Sequence, residues 1–192
     1  MSNQLIYVMG PSGVGKDSLL NWLRGQVRRL PVPPALHFAR RTITRPQDNS
    51  NEDHEAVTLD AFTQLQQAGA FALHWEAHGL HYGVRTEEIL GRNGWVMVNG
   101  SRAYVDRARV LFEGITVLHV SAPEAVVRAR LTERQRETST EVEARIQRSQ
   151  SAGVALVPGD LHIVNAGTLE ATARELCAML QAHTGLRLID SD

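Results

Sequence analysis

The sequence predicts an α/β fold with a parallel sheet flanked by helices. Two observations carry this. Short apolar runs alternate with helical patterns along the chain, the arrangement of βαβ units. The first run, Leu5-Ile6-Tyr7-Val8-Met9, leads into Gly10-Pro11-Ser12-Gly13-Val14-Gly15-Lys16-Asp17-Ser18 and then into a helical pattern from Leu19 to Leu23. A strand, a Gly-rich loop and a helix opening at a lysine make a phosphate-cradling P-loop.

Taken in order, strands are expected near Leu5–Met9, Ala35–Ala39, Trp95–Asn99, Ile115–Val120 and His162–Asn165, with Leu186–Ile189 as a short final strand. Helices are expected at Lys16–Leu30, Asp60–Ala68, Thr86–Gly91, Arg102–Phe112, Pro123–Thr132, Thr140–Ala152 and Thr168–Ala182. Pro31-Val32-Pro33-Pro34 stops the first helix, because proline cannot donate the next hydrogen bond. Two segments break the alternation. Residues 40–85 form a long insertion, and residues 130–148 are dense in arginine.

At 192 residues the chain fits one domain with small inserted lobes. Its net charge of −1 gives no global field for nucleic acid or an anionic membrane, so phosphate affinity must come from local clusters. The polar Met1–Gln4 and the short apolar run after it read as neither signal peptide nor membrane span, which implies a cytoplasmic protein. The single cysteine, Cys177, lies on an apolar stripe with Leu169, Ala173, Leu176 and Leu180 and reads as a buried thiol. Oligomeric state is left open.

In the P-loop Gly10, Pro11, Ser12, Gly13, Val14 and Gly15 form the anion cradle with the helix N-terminus, all but Pro11 through a backbone N–H. Lys16 reaches the β- and γ-phosphates. The Ser or Thr that usually meets Mg²⁺ is replaced by Asp17, and a hydroxyl follows at Ser18, so Asp17 and Ser18 are the metal candidates. Arg130 and Arg134 share a helical face, and Arg145 and Arg148 share the next one. These helices could close over transferred phosphate. Glu133, Glu137, Glu141 and Glu143 are interleaved, so a solvated charged face is the competing reading. Arg40, Arg41 and Arg45, with Thr42 and Thr44, suit an anionic acceptor and equally a surface loop. His54, His74, His78 and His81 lack the cysteine or carboxylate partners of a Zn²⁺ site and, with Tyr82, fit hydrogen bonds to a polyhydroxy or phosphate ligand. Trp75 and Tyr82 fit a core or a wall. Asn99 and Arg102 fall at the carboxyl end of a central strand, where ligands of parallel sheets collect, and Ser101 could cap the following helix.

With these blocks in order the chain resembles the guanylate kinase branch of the P-loop nucleoside monophosphate kinases. The resemblance rests on Gly10–Lys16, the Thr42–Arg45 loop, Trp75–Gly83 and Arg130-Leu131-Thr132-Glu133-Arg134 followed by Arg145. It implies a core at 1–39, 94–129 and 153–192, an acceptor-binding lobe at about 40–85 and an Arg-rich lid at about 130–148. The departures are informative. His74 stands where the family has a guanine-binding glutamate, Val84 where it has Ser or Thr, Asp48 near its second acceptor arginine, His54 where it has a tyrosine and Asn99 where it has an aspartate. A site without those partners rejects guanine, because unpaired buried polar groups are costly.

This set of changes is similar to that of the ribose 1,5-bisphosphate phosphokinases of phosphonate utilisation, as are Gly10–Ser18, Ile43–Arg45, Trp75–Gly83 and Val98–Arg102. The resemblance implies ATP and Mg²⁺ as cofactors and ribose 1,5-bisphosphate as the small-molecule partner. It further implies Lys16, Arg130, Arg134 and Arg145 as phosphoryl clamps, with Arg40, Arg41, Arg45, His54, His74, Tyr82, Asn99 and Arg102 on the acceptor and adenine near Asn165-Ala166-Gly167. The alternative enzyme is a nucleoside monophosphate kinase with an unusual acceptor. The alternative outside enzymes is a guanylate kinase-like binding module, which the retained Gly15-Lys16 and lid arginines oppose.

Overall fold

The computed structural model describes residues 4–46, 52–133, 143 and 155–189. Five strands, β1 (Gln4–Met9), β2 (Leu36–Phe38), β7 (Trp95–Asn99), β8 (Thr116–Ser121) and β9 (Leu161–Val164), form one sheet in the order β2-β7-β1-β8-β9. Every pairing in it is parallel. β1 sits at the centre and is buried on both faces, which is why it reads as an unbroken apolar run. Its alternate residues divide the interior. Ile6 and Val8 join Leu19, Leu23, Leu176 and Leu180 of helices α1 (Lys16–Arg29) and α6 (Leu169–Thr184). Leu5, Tyr7 and Met9 face the opposite cluster, which contains Leu73, Trp75, Tyr82 and Val84. Cys177 is buried in the α6 interface, and burial pushes its thiol up to about 11.

The insertion holds strands that the sequence reading does not anticipate. β3 (Arg41–Ile43), β4 (His54–Ala56), β5 (Phe71–Ala77) and β6 (Leu80–Arg85) make a second, mixed sheet in the order β4-β3-β6-β5. β5 and β6 form a hairpin whose turn at His78-Gly79 has both residues at positive φ. Helix α2 (Leu59–Gln67) is capped by Thr58, whose hydroxyl accepts from the Ala61 N–H at 3.2 Å. Short α3 (Thr86–Ile89) follows β6 and leads back towards β7.

After β7 a 3₁₀ turn at Arg102–Tyr104 runs into α4 (Val105–Leu111). Ser101 precedes that turn, but its side chain makes no capping hydrogen bond, contrary to the expectation. Helix α5 (Glu124–Glu133) follows β8. The expected helix at Thr140–Ala152, apart from the helical Glu143, and the arginines Arg134, Arg136, Arg145 and Arg148 lie outside the described residues, as does Asp48. The expected strand at Leu186–Ile189 is absent. Gly185 ends α6 in the left-handed region at φ 72°, and the Leu188 and Ile189 N–H groups donate to Gln181 Oε1, so they are committed to a side chain rather than a ladder. No helix among the described residues is long and apolar enough to cross a membrane.

Candidate active site

A cleft of about 1000 Å³ opens between the carboxyl edge of the parallel sheet and the second sheet. One wall is the P-loop between β1 and α1. Gly10 lies so close to β8 that a Cβ there would sit 2.1 Å from the Val120 carbonyl oxygen, and Gly15 enters α1 at φ 90°, a region side chains disfavour. Lys16 Nζ donates to the Gly10 and Pro11 carbonyls at 2.8 and 3.0 Å. Burial lowers its pKa to about 8, with the Arg41 and Arg102 charges in the same direction and Asp17 and Glu52 opposing. This ammonium gains most when a polyanion arrives.

Asp17 and Ser18 both front the cleft. Asn99, at the end of β7, donates from Nδ2 to Asp17 Oδ1 at 2.6 Å. Among the described residues its own Oδ1 is buried without a hydrogen-bond partner, which leaves an acceptor for a donor in the site. The loop that follows is held from beneath by Tyr7. The Tyr7 hydroxyl donates to the Ser101 carbonyl at 2.9 Å and accepts from the Ser101 N–H at 2.8 Å. Burial drives the phenol pKa well above its ordinary range, so it remains a hydroxyl. This anchor fixes the base of Arg102, which lines the cleft. Tyr7 escaped the sequence reading because a strand of apolar neighbours disguised it.

The opposite wall belongs to the second sheet. The Trp75 and Tyr82 rings stack at 5.6 Å with an interplanar angle of 1°, and the Arg41 guanidinium lies 5.1 Å above Tyr82. Arg41 Nε donates to Glu52 Oε1 at 2.5 Å, and Arg45 Nη2 to Glu52 Oε2 at 3.3 Å. Trp75, Tyr82, Arg41, Arg45 and Glu52 all line the cleft.

Several predicted site residues fall elsewhere. Arg40 is absent from the cleft lining because its neighbour Arg41 takes that face, and consecutive strand side chains point oppositely. Arg40 instead pairs with Asp53 at 3.1 Å and donates to the His54 carbonyl at 3.0 Å, lining a small polar pocket with Thr42, Glu55 and Arg85. His74 is not among the cleft-lining residues, which on β5 and its turn begin at Trp75 and run through Glu76 and Ala77 to His78. His54 is buried, with its Nδ1 3.1 Å from the Glu52 carbonyl oxygen and its Nε2 3.3 Å from that of Arg45, so a ring N–H donated to either carbonyl ties His54 to the arginine loop rather than the cleft. Val14 packs in the α1 core. Asn165 and Arg130 brace the P-loop from behind. Asn165 Nδ2 donates to the Val14 carbonyl at 2.7 Å, and Arg130 donates to the Val14 and Asn165 carbonyls and to Asn165 Oδ1, each at 3.3 Å. The lid positions Arg134 and Arg145 lie outside the described residues.

A P-loop at the carboxyl edge of a parallel sheet, facing a cation-bearing wall across a cleft, defines a P-loop phosphotransferase with a guanylate kinase-like fold. Solved structures agree on the fold. The guanylate kinase from Anaplasma phagocytophilum superposes with a TM-score of 0.63 at 18% identity, over 95% of this chain and 87% of that one. A gluconokinase from Sinorhizobium meliloti 1021 superposes with a TM-score of 0.55 at 16% identity, over 95% of this chain and 94% of that one. No family model matches the chain. Among curated proteins, the ribose 1,5-bisphosphate phosphokinase PhnN of Burkholderia pseudomallei is 42% identical over 186 residues, covering 94% of this chain and 96% of its own. That of Agrobacterium fabrum is 36% identical over 186 residues, covering 94% and 98%. The chain belongs to the ribose 1,5-bisphosphate phosphokinase PhnN family.

Proposed function

We propose that this protein transfers the γ-phosphoryl group of ATP to ribose 1,5-bisphosphate, giving ADP and 5-phospho-α-D-ribose 1-diphosphate. The single observation that carries this reading is the full-length family match, and the cleft geometry supports it. An oxygen of the 1-phosphate attacks the γ-phosphorus, and the bond to the β–γ bridging oxygen breaks as ADP leaves. A sugar phosphate is already largely ionised near pH 7, so the step needs no general base. Catalysis reduces to aligning two polyanions and offsetting their repulsion.

Lys16 and the loop N–H groups hold the donor β- and γ-phosphates. Releasing Lys16 Nζ from the Gly10 and Pro11 carbonyls gives it to the triphosphate. Arg41, Arg45 and Arg102 meet the acceptor phosphates, with Tyr82 and Asn99 at the sugar. The family resemblance assigns Arg134 and Arg145, which lie outside the described residues, to the transferred group, while Arg130 bonds the P-loop at the Val14 carbonyl. Asp17 and Ser18 offer an oxygen-only donor set of the kind Mg²⁺ takes while keeping several waters. The unpartnered Asn99 Oδ1 suits a hydrogen bond from such a water, so these residues fit the ion. When bound, Mg²⁺ neutralises charge on the donor phosphate oxygens.

Phosphorus NMR of a mixture of enzyme, ATP, Mg²⁺ and ribose 1,5-bisphosphate tests the assignment. The expected product shows a sugar-linked diphosphate growing in step with ADP. ADP accumulating with inorganic phosphate and no sugar diphosphate would overturn it.

A further inference from the structure

We infer that Glu52 is a displaceable counter-anion in the acceptor pocket and sets a charge threshold for what the pocket admits. This rests on reading Arg41 and Arg45 as ligands of an acceptor phosphate.

The Glu52 carboxylate does to these arginines what a phosphate would do. One oxygen takes Arg41 Nε at 2.5 Å and is also paired with Arg41 Nη2, and the other takes Arg45 Nη2 at 3.3 Å. A guanidinium fork matches a carboxylate and a phosphate with the same pair of N–H vectors. The Arg41 and Glu52 side chains are only 11% and 14% exposed, so water screens the pair weakly. The arginine end is fixed. Arg41 lies over the Tyr82 ring, itself stacked on Trp75, so a ligand meets a preset guanidinium. The Glu52 backbone is fixed as well, since its carbonyl bonds the buried His54 ring at 3.1 Å. The side chain of Glu52 is the part left to move.

Charge makes the exchange selective. The cleft is lined by four cations, Lys16, Arg41, Arg45 and Arg102, against three carboxylates, Asp17, Glu52 and Glu76. A singly charged carboxylate ligand offers the arginines no more than Glu52 already gives. A phosphate dianion offers an extra charge and a third oxygen, and a bisphosphate is further attracted by the remaining cations. Displacing Glu52 costs every anion that binds both arginines the same amount, so it holds off anions that gain little there and still admits a doubly phosphorylated sugar. When product leaves, its return to the arginines assists release.

Calorimetric titration tests this, with the donor side filled by a non-hydrolysable ATP analogue and Mg²⁺. Ribose 1,5-bisphosphate and ribose 5-phosphate are titrated into wild type, Glu52→Gln, Glu52→Ala and Arg41→Ala, each checked for a cooperative melt. Glu52→Gln should bind both ribose 5-phosphate and the bisphosphate about tenfold tighter, because the carboxylate no longer has to be displaced. Glu52→Ala should show the same direction and serves if the glutamine variant fails to fold. Unchanged ribose 5-phosphate binding in these variants would overturn the inference. Weaker binding of both sugars would also overturn it, and would place Glu52 on the sugar hydroxyls instead. If Arg41→Ala leaves acceptor binding intact, the acceptor assignment itself fails. If that variant weakens binding while the Glu52 variants do not tighten it, only the counter-anion role fails.

Discussion

Lys16 should reveal itself as a titrating group near pH 8 and as a source of instability. Its pKa falls from 10.5 to about 8, mainly because burial disfavours the ammonium. That gap corresponds to roughly 3 kcal/mol, and water in the open cleft reduces it to about 2 kcal/mol. The sign follows from proton counting. Between about pH 8 and 10.5 the unfolded chain holds a proton on Lys16 that the folded chain has lost, so stability rises with pH across that window. Below pH 8 both states are protonated and the full penalty stands. Lys16→Met removes the charge, together with hydrogen bonds to the Gly10 and Pro11 carbonyls. At pH 7 it should melt several degrees higher, about 2–4 °C per kcal/mol for a chain of this size. Phosphate binding has the opposite dependence. The free enzyme loses the ammonium above about pH 8, so affinity for a non-hydrolysable ATP analogue should fall up to tenfold per pH unit above that point. The assay is that binding curve from pH 6.5 to 9.5, for wild type and Lys16→Met. A flat wild-type profile, or the same limb persisting in Lys16→Met, would refute the reasoning.

Tyr7→Phe keeps the ring and strands the Ser101 N–H, while the Ser101 carbonyl retains the Tyr104 N–H at 3.1 Å. It should cost about 1–3 kcal/mol and raise the acceptor KM through the loosened Arg102 loop. An unchanged melting temperature with an unchanged KM would show that the hydroxyl is not the anchor. The family comparison in sequence alone points to His74 and Val84 as specificity positions, and the structure reverses that expectation. His74 does not line the cleft and Val84 is fully buried, so His74→Glu with Val84→Ser should gain no GMP turnover. Exposing a hydroxyl to that core should also destabilise the fold by about 1–3 kcal/mol. A measurable GMP kinase activity in the double variant would contradict this placement.

β1, β7 and β8 were legible because each is short, apolar and largely buried on both faces, and the half-exposed edge strands β2 and β9 because they keep the same alternation with helices. The P-loop was legible because few residue types tolerate its backbone. The second sheet was not. β3 and β4 have three residues each, among them Arg41, Thr42, His54 and Glu55, and such edge pairs form only through partners distant in the chain. Which arginine faces the cleft depended on knowing that Arg41 begins a strand, since one residue of register separates it from Arg40. Glu52 was hidden in a polar stretch and is meaningful only once β3 and β4 pair and bring it to Arg41. Leu186–Ile189 had the composition of a strand, but the Gln181 side chain had already taken its N–H groups.

Acceptor choice separates a ribose 1,5-bisphosphate phosphokinase from a nucleoside monophosphate kinase most directly. With ATP and Mg²⁺ in excess, ribose 1,5-bisphosphate, ribose 5-phosphate, GMP and AMP are offered in parallel, and ADP release is followed for each. Fast turnover with ribose 1,5-bisphosphate and little with the other three is the predicted result. Fast turnover with GMP and none with the bisphosphate would contradict it.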